Sequence, residues 1–208
     1  MNLEEEFEII KEFAKDNANI FPDGGKVLSY RLKKAKYLSS EHLEKIKNNF
    51  IDSRTFNNKE ISTVPDVSVY SYIKKKYNKT DEEIDTIKKS HNICMSVEDL
   101  IGHTLEEYIY SVTSKDGWIW CSGNILRSID FIKKEINREQ IVWKMLQIKN
   151  SDNSENSSSK KVRKGTPIKM WFRRFSKKYV YNWEELHVLM GSTDLSEENF
   201  LKFLDNKA

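Results

Sequence analysis

The sequence predicts an α/β chain, a central mixed β-sheet flanked by helices, with a mostly helical N-terminal part. Apolar residues recur at helical spacing through most of the first 112 positions, short β-rich runs follow between 118 and 148, and helical spacing returns after 182. With 208 residues, 38% of them hydrophobic and only 7 Gly and 3 Pro, the chain can bury one good core but hardly two. The expected division is a helical region over residues 1–90 packed on a core over 91–208, one structural domain in all.

Each element has a local reason. Leu3, Phe7, Ile10 and Phe13 form one helical stripe, and Leu43, Ile46 and Phe50 another. Thr80 with Glu83 has the spacing of a capping box ahead of Ile84 and Ile87. Gly24-Gly25 and Val64-Pro65-Asp66 mark loops, and Lys74-Lys75-Lys76 suits a solvated helix face. Ser96 with Asp99 resembles an N-cap for a helix whose stripe is Val97, Ile101, Leu105, Tyr108 and Val112, ended by Lys115-Asp116-Gly117. Trp118–Cys121, Ile129–Ile132 and Ile141–Ile148 read as strands, with a turn at Gly123-Asn124. The run Asn150 to Ser159 has no apolar residue to bury and reads as a loop. Asn182 and Ser196 can cap two last helices, over Trp183–Met190 and onward through Phe200, Leu201 and Leu204.

Composition excludes several classes. No run of 18 apolar residues occurs, and Glu4, Glu5 and Glu6 stand where a signal peptide would be basic, so the expectation is a cytoplasmic chain with no membrane partner. Cys94, Cys121, His91 and His103 include no close ligand pair, which argues for free cysteines over zinc; His42 and His187 read as ordinary helical residues. No phosphate-cradling G-x-x-x-x-G-K-[ST] motif is present.

The net charge of +3 hides a strong asymmetry. Lys160 to Lys178 holds nine Lys or Arg and no acid, residues 179–208 carry −4, and residues 1–159 carry −2. Cations interleaved with Trp171, Phe172, Phe175 and Tyr179 suit a polyanion, because Lys and Arg release counterions from phosphates while rings can pack on bases. A solvated lysine-rich face is the competing reading, and Trp171, with apolar neighbours on both sides, reads as core.

The candidate chemistry lies in Glu106, Asp130, Gln147 and Lys149. Asp130 sits in Ser-Ile-Asp-Phe-Ile, and a carboxylate among isoleucines is costly unless it is aimed at a partner. Gln147 and Lys149 are two apart on a strand and share a face, so a hairpin can gather them beside Asp130. Carboxylate, amide and carbonyl oxygens suit a hard Mg²⁺, and a lysine beside them can orient a water and offset charge on a phosphoryl group. The plain alternative pairs Asp130 with Arg127 or Lys133 and leaves Lys149 at a strand edge. Glu106 stands one position beyond its helix's core stripe and can lean toward the strands, with Glu107 as the alternative.

A helix with Glu, a strand with Asp and a strand with an acid-or-Gln-x-Lys resembles the PD-(D/E)xK nuclease superfamily, with Gln147 in the place of the usual acid. Gln147-Ile148-Lys149-Asn150, the run Asp152 to Ser159, Val162-Arg163-Lys164-Gly165-Thr166, Ile168-Lys169, Trp171-Phe172-Arg173 and Asn182-Trp183 are similar to the SinI family of type II restriction endonucleases, over roughly residues 95–185. The resemblance implies a Mg²⁺-dependent homodimer that cuts double-stranded DNA at GGWCC after the first G, and a cognate DNA methyltransferase. It implies metal ligation by Asp130, Gln147 and Glu106, and catalysis by these with Lys149. The 91–208 part then becomes a nuclease core with a DNA-recognition segment over 150–178. Expected DNA contacts are Asn156, Ser157, Ser158, Ser159, Arg163, Lys164, Thr166 and Arg173, since cations read guanine and Asn reads adenine. The rival readings are a non-catalytic DNA-binding protein using residues 160–178, a repair or junction nuclease on the same core, and an RNA-binding module.

Overall fold

The computed structural model describes residues 1–29, 36–55, 66–153, 160 and 162–207. The loop expected at Val64-Pro65 and the candidate contacts Asn156, Ser157, Ser158 and Ser159 lie outside these. The described chain divides into two compact units, residues 1–55 with 104–208, and residues 56–103. These bounds differ from a break near residue 90, because the first two helices belong to the unit that contains the sheet.

In the larger unit, α1 (Leu3–Asp16) and α2 (Ser40–Asp52) follow the two apolar stripes. Asn2 and Glu5 close a capping box on α1, and Ser39 caps α2. Four strands form one mixed sheet in the order β1 (Trp118–Trp120), β2 (Phe131–Asn137), β3 (Gln140–Ser151) and β4 (Lys169–Arg174). The first three are antiparallel, and β4 returns parallel to β3. Helices α5 (Trp183–Met190) and α6 (Glu197–Asp205) complete the unit.

Strand alternation sorts the core into two layers. Ile119, Ile132 and Met145 occupy one face and join Phe7, Ile10 and Phe13 of α1 and Ile46 and Phe50 of α2. Trp120, Phe131, Leu146, Ile148 and Trp171 occupy the other. There Trp171 meets Trp183, Tyr108 stacks near Trp183 and Phe200, and the Trp118 indole N–H donates to the Met190 carbonyl (3.0 Å). Trp171 is fully buried and is core.

The smaller unit holds α3 (Val67–Lys76), capped by Asp66, and most of α4 (Asp81–Thr113). Lys74, Lys75 and Lys76 are exposed. Thr80 and Glu83 exchange the two bonds of their capping box (3.3 and 2.8 Å). The helix expected to start at Ser96 starts 15 residues earlier: Ser96 lies inside α4, its hydroxyl donating to the Asn92 carbonyl one turn back (3.0 Å). A capping residue can satisfy itself this way in a helix interior, so its identity alone does not mark a start. Gly117 ends the helix through a 3₁₀ turn, at φ 84°, as the sequence suggests.

Other expectations shift as well. β2 and β3 run to a two-residue hairpin at Arg138-Glu139, both at positive φ, without the usual Asn-Gly signal. β4 carries no clear strand signal in the sequence, because its Lys and Arg read as part of the basic segment. Asn182 precedes α5 but its side chain donates to Glu185 and makes no helix cap. His42 is fully buried, with Leu38 N–H donating to Nδ1 (3.1 Å). Among the described residues no helix is long and apolar enough to cross a membrane.

One buried ion pair joins α1 to the turn after α2. Glu6 is almost wholly buried, takes a bond from Arg54 (2.6 Å) and another from the Tyr110 hydroxyl. Arg54 also donates to the Trp120 carbonyl (2.8 Å) and lies over the Phe50, Tyr110 and Trp120 rings. Replacing Arg54 by Ala leaves the Glu6 charge buried with its main partner gone, so urea unfolding should show a loss of about 3–5 kcal/mol. An exposed ion-pair partner such as Lys45 should cost under about 1 kcal/mol on the same measurement.

Candidate active site

The sheet end where β2 begins and β3 nears its close gathers the predicted residues. Asp130 stands one residue before β2, beyond the pair Phe131↔Leu146, and so beside Gln147. Its backbone is held from both sides, N–H to the Leu146 carbonyl (2.9 Å) and carbonyl to the Cys121 N–H (2.8 Å). Its carboxylate accepts the Ile148 backbone N–H (2.7 Å). Three bonds to two strands leave little freedom, which is the order a reacting group needs.

The plain pairings for Asp130 are taken elsewhere. Arg127 binds Asp23 through both nitrogens (3.1 and 2.6 Å), and Lys133 pairs with Glu135 (3.3 Å). Lys149 is the cation whose charge reaches both Asp130 and Glu106. Glu106 comes from the last turns of α4, and its Oε2 accepts the Trp120 indole N–H (2.7 Å). Glu107 instead pairs with Lys207 (2.6 Å), which separates the two acids.

Electrostatics mark the cluster. Dehydration pushes the Asp130 carboxyl up to about 6, against the Ile148 N–H and the Lys149 charge, which pull it down. Glu106 is raised well above the usual carboxylate range, first by burial and then by the neighbouring Asp130 charge, with Trp120 and Lys149 opposing. Both carboxylates are half-buried and feel the charge of the same lysine. Gln147 is buried beside them, and its Oε1 has no hydrogen-bond partner among the described residues. A lone buried acceptor of this kind is costly and calls for a donor or a cation.

The expected DNA contacts divide. Lys164 is exposed, and Arg163 is half-buried with an interaction of its own. The Thr166 hydroxyl donates to the Arg163 carbonyl (2.7 Å), which shapes the turn at Gly165. Arg173 is different from the expectation: it points inward, nearly buried, bonded to Glu197 (2.5 Å) and Asn150 (2.9 Å). Alternation explains it, because Arg173 shares the Trp171 face of β4 while Arg174 faces solvent. Residue order had no means of showing Trp120 as the partner of Glu106, since 14 residues and a change from helix to strand separate them. Of the two cysteines, Cys121 is buried and Cys94 exposed.

A helix-derived acid, an acid at a strand start and a lysine on the adjoining strand have the chemistry that phosphodiester cleavage can use. The family described as SinI restriction endonuclease matches residues 1–207. The chain is 34% identical to the type II restriction enzyme SinI of Salmonella infantis over 205 residues, 98% of this chain and 86% of that protein. It is 37% identical to the type II restriction enzyme Eco47I of Escherichia coli over 167 residues, 80% of this chain and 72% of that one. The chain belongs to the SinI restriction endonuclease family. The match includes the N-terminal helices, well beyond the 95–185 region that carries the motifs.

The raised Asp130 carboxyl gives a stability prediction. In the unfolded chain an Asp titrates near 3.9, so between about pH 4 and pH 6 the metal-free folded state holds a proton the unfolded state has lost. Stability therefore falls as pH rises through that window and Asp130's share of the loss is complete above it. Asp130→Asn has no proton to lose there, and at pH 8 it should be more stable than the parent by about 1–3 kcal/mol, with a shallower pH dependence. Thermal melting without metal from pH 4 to 8 measures this; equal slopes for parent and variant would contradict it.

Proposed function

We propose that this family member is a type II restriction endonuclease with a PD-(D/E)xK core that makes Mg²⁺-dependent double-strand cuts at GGWCC, after the first G. The observation that carries the reading is the gathering of Glu106, Asp130 and Lys149 at one sheet end beside the unpartnered Oε1 of Gln147. The names of the two relatives support the restriction activity, and the motif resemblance supports the sequence and cut position.

The donors fit a hard divalent cation. Asp130 and Glu106 each keep one carboxylate oxygen outside the bonds described above, and Gln147 offers a neutral oxygen, so these three would hold Mg²⁺. The bound ion supplies Lewis acidity to the scissile phosphate. Lys149 orients the attacking water and offsets charge gathering on the phosphoryl oxygens. Ile148 N–H and Trp120 N–H fix the two acids, so that the set stays aligned. Arg163, Lys164 and Thr166, with Asn156 and Ser157 to Ser159, supply the recognition segment. A palindromic site is met most simply by a homodimer, and a methyltransferase protects the host's own copies.

Digestion of unmethylated viral DNA tests the reading. The parent should give discrete bands only with Mg²⁺ and ends that map to GGWCC, and Lys149→Ala should be slower by at least about 100-fold. Bands with other ends would overturn the site, and a smear the sequence specificity. DNA left intact yet shifted on a native gel would favour a binding protein without catalysis.

A further inference from the structure

The turn after β4 holds the last cations of the basic segment and an exposed aromatic ring, none of which enters the site described above. Phe175 N–H donates to the Val180 carbonyl (3.2 Å), Asn182 N–H to the Arg173 carbonyl (2.8 Å), and Arg174 bridges to Tyr181. The chain thus doubles back in a tight loop over residues 175–180. Phe175 anchors it edge-on against Phe172 (5.0 Å), and Tyr181 lies beside the Arg173 guanidinium (5.6 Å). Tyr179, between these anchors, is wholly exposed, and Lys177 and Lys178 beside it are exposed as well.

Position makes this turn more than a surface loop. β3 and β4 are parallel with Lys149 opposite Phe172, so both strands finish at the sheet end that holds Asp130 and Lys149. Asp152, three residues past Lys149, ties the two together: its N–H donates to the Arg174 carbonyl (3.2 Å) and its carboxylate accepts the Ser176 N–H (2.8 Å). At roughly 3.3 Å per residue the turn starts about 10 Å past Lys149, the length of about three base steps. Among the described residues Arg174 and Lys177 have no carboxylate partner, nor does Lys178, whose ammonium lies over the Phe175 ring (5.8 Å).

An isolated exposed ring is ordinary on a protein surface. A ring at the tip of an anchored turn, flanked by unpaired cations and fixed to the end of the candidate catalytic strand, is a different arrangement. We propose that residues 175–180 form a DNA-gripping finger: Lys177 and Lys178 contact backbone phosphates beside the scissile one, and the Tyr179 ring packs on the sugar and groove wall. The finger sets where the duplex lies over Lys149, and it takes the role that the inward-turned Arg173 does not. This rests on the nuclease reading.

The test uses full-length Lys149→Ala protein, silent in cleavage, and a short GGWCC duplex, with affinity read by fluorescence anisotropy from 50 to 300 mM salt. Adding Lys177→Ala and Lys178→Ala should flatten the log–log salt slope by about 1.8, since each phosphate contact contributes about 0.9. Adding Tyr179→Ala should weaken binding about tenfold with the slope unchanged, as for one well-packed aromatic contact. All three residues are exposed, so melting temperatures should match the parent. Binding and slope equal to the Lys149→Ala protein in both variants would overturn the finger alone. Failure of the Lys149→Ala protein itself to bind duplex DNA would overturn the nuclease reading and the finger with it.

Discussion

Two half-buried carboxylates, Glu106 and Asp130, lie close enough to feel one another's charge, with Lys149 as a counter-charge to both. Acids placed so are unfavourable in a folded protein unless something compensates, and much of the surrounding structure consists of that compensation. Ile148 N–H and Trp120 N–H each donate to one acid. The Asp130 backbone is bonded to strands on both sides. Trp120 in turn is fixed through its carbonyl by Arg54, which Glu6 and the ring stack hold in place. A chain of contacts thus runs from the first helix to the candidate site, which gives a physical reason for the family match to include residue 1.

The sheet's connectivity does the rest. Antiparallel β2 and β3 put Asp130 beside Gln147, and the parallel return of β4 brings a second strand end to the same edge. Gln147 in place of an acid leaves the site with one charge fewer and an acceptor oxygen that lacks a donor among the described residues. A neutral side chain in place of a third acid adds no repulsion to that already present between Glu106 and Asp130.

Much of this was legible in residue order, for reasons that can be named. Asp130 between isoleucines and the Gln147-x-Lys149 alternation are local signals, and local signals survive in sequence. Helix stripes and the Thr80 to Glu83 cap are local too. The charge of Arg173 suggests exposure, whereas strand parity and the acid at Glu197, 24 residues away, turn it inward. Ser96 suggests a helix start because a cap and a self-bonded interior serine share one residue type. The Trp120 to Glu106 bond, the Arg54 pair and the turn at 175–180 are tertiary facts, set by which strands lie side by side.

In the proposed reading, Glu106 and Asp130 hold protons where a divalent cation would bind. A cation must displace those protons to bind. Calorimetric titration of Mg²⁺ into the protein at pH 6, in two buffers of different ionisation enthalpy, measures that release. Binding should be accompanied by proton release at pH 6, and the part of it that comes from Asp130 should fade toward pH 8 and be missing in Asp130→Asn. Binding without proton release at pH 6, or release untouched by that substitution, would contradict it.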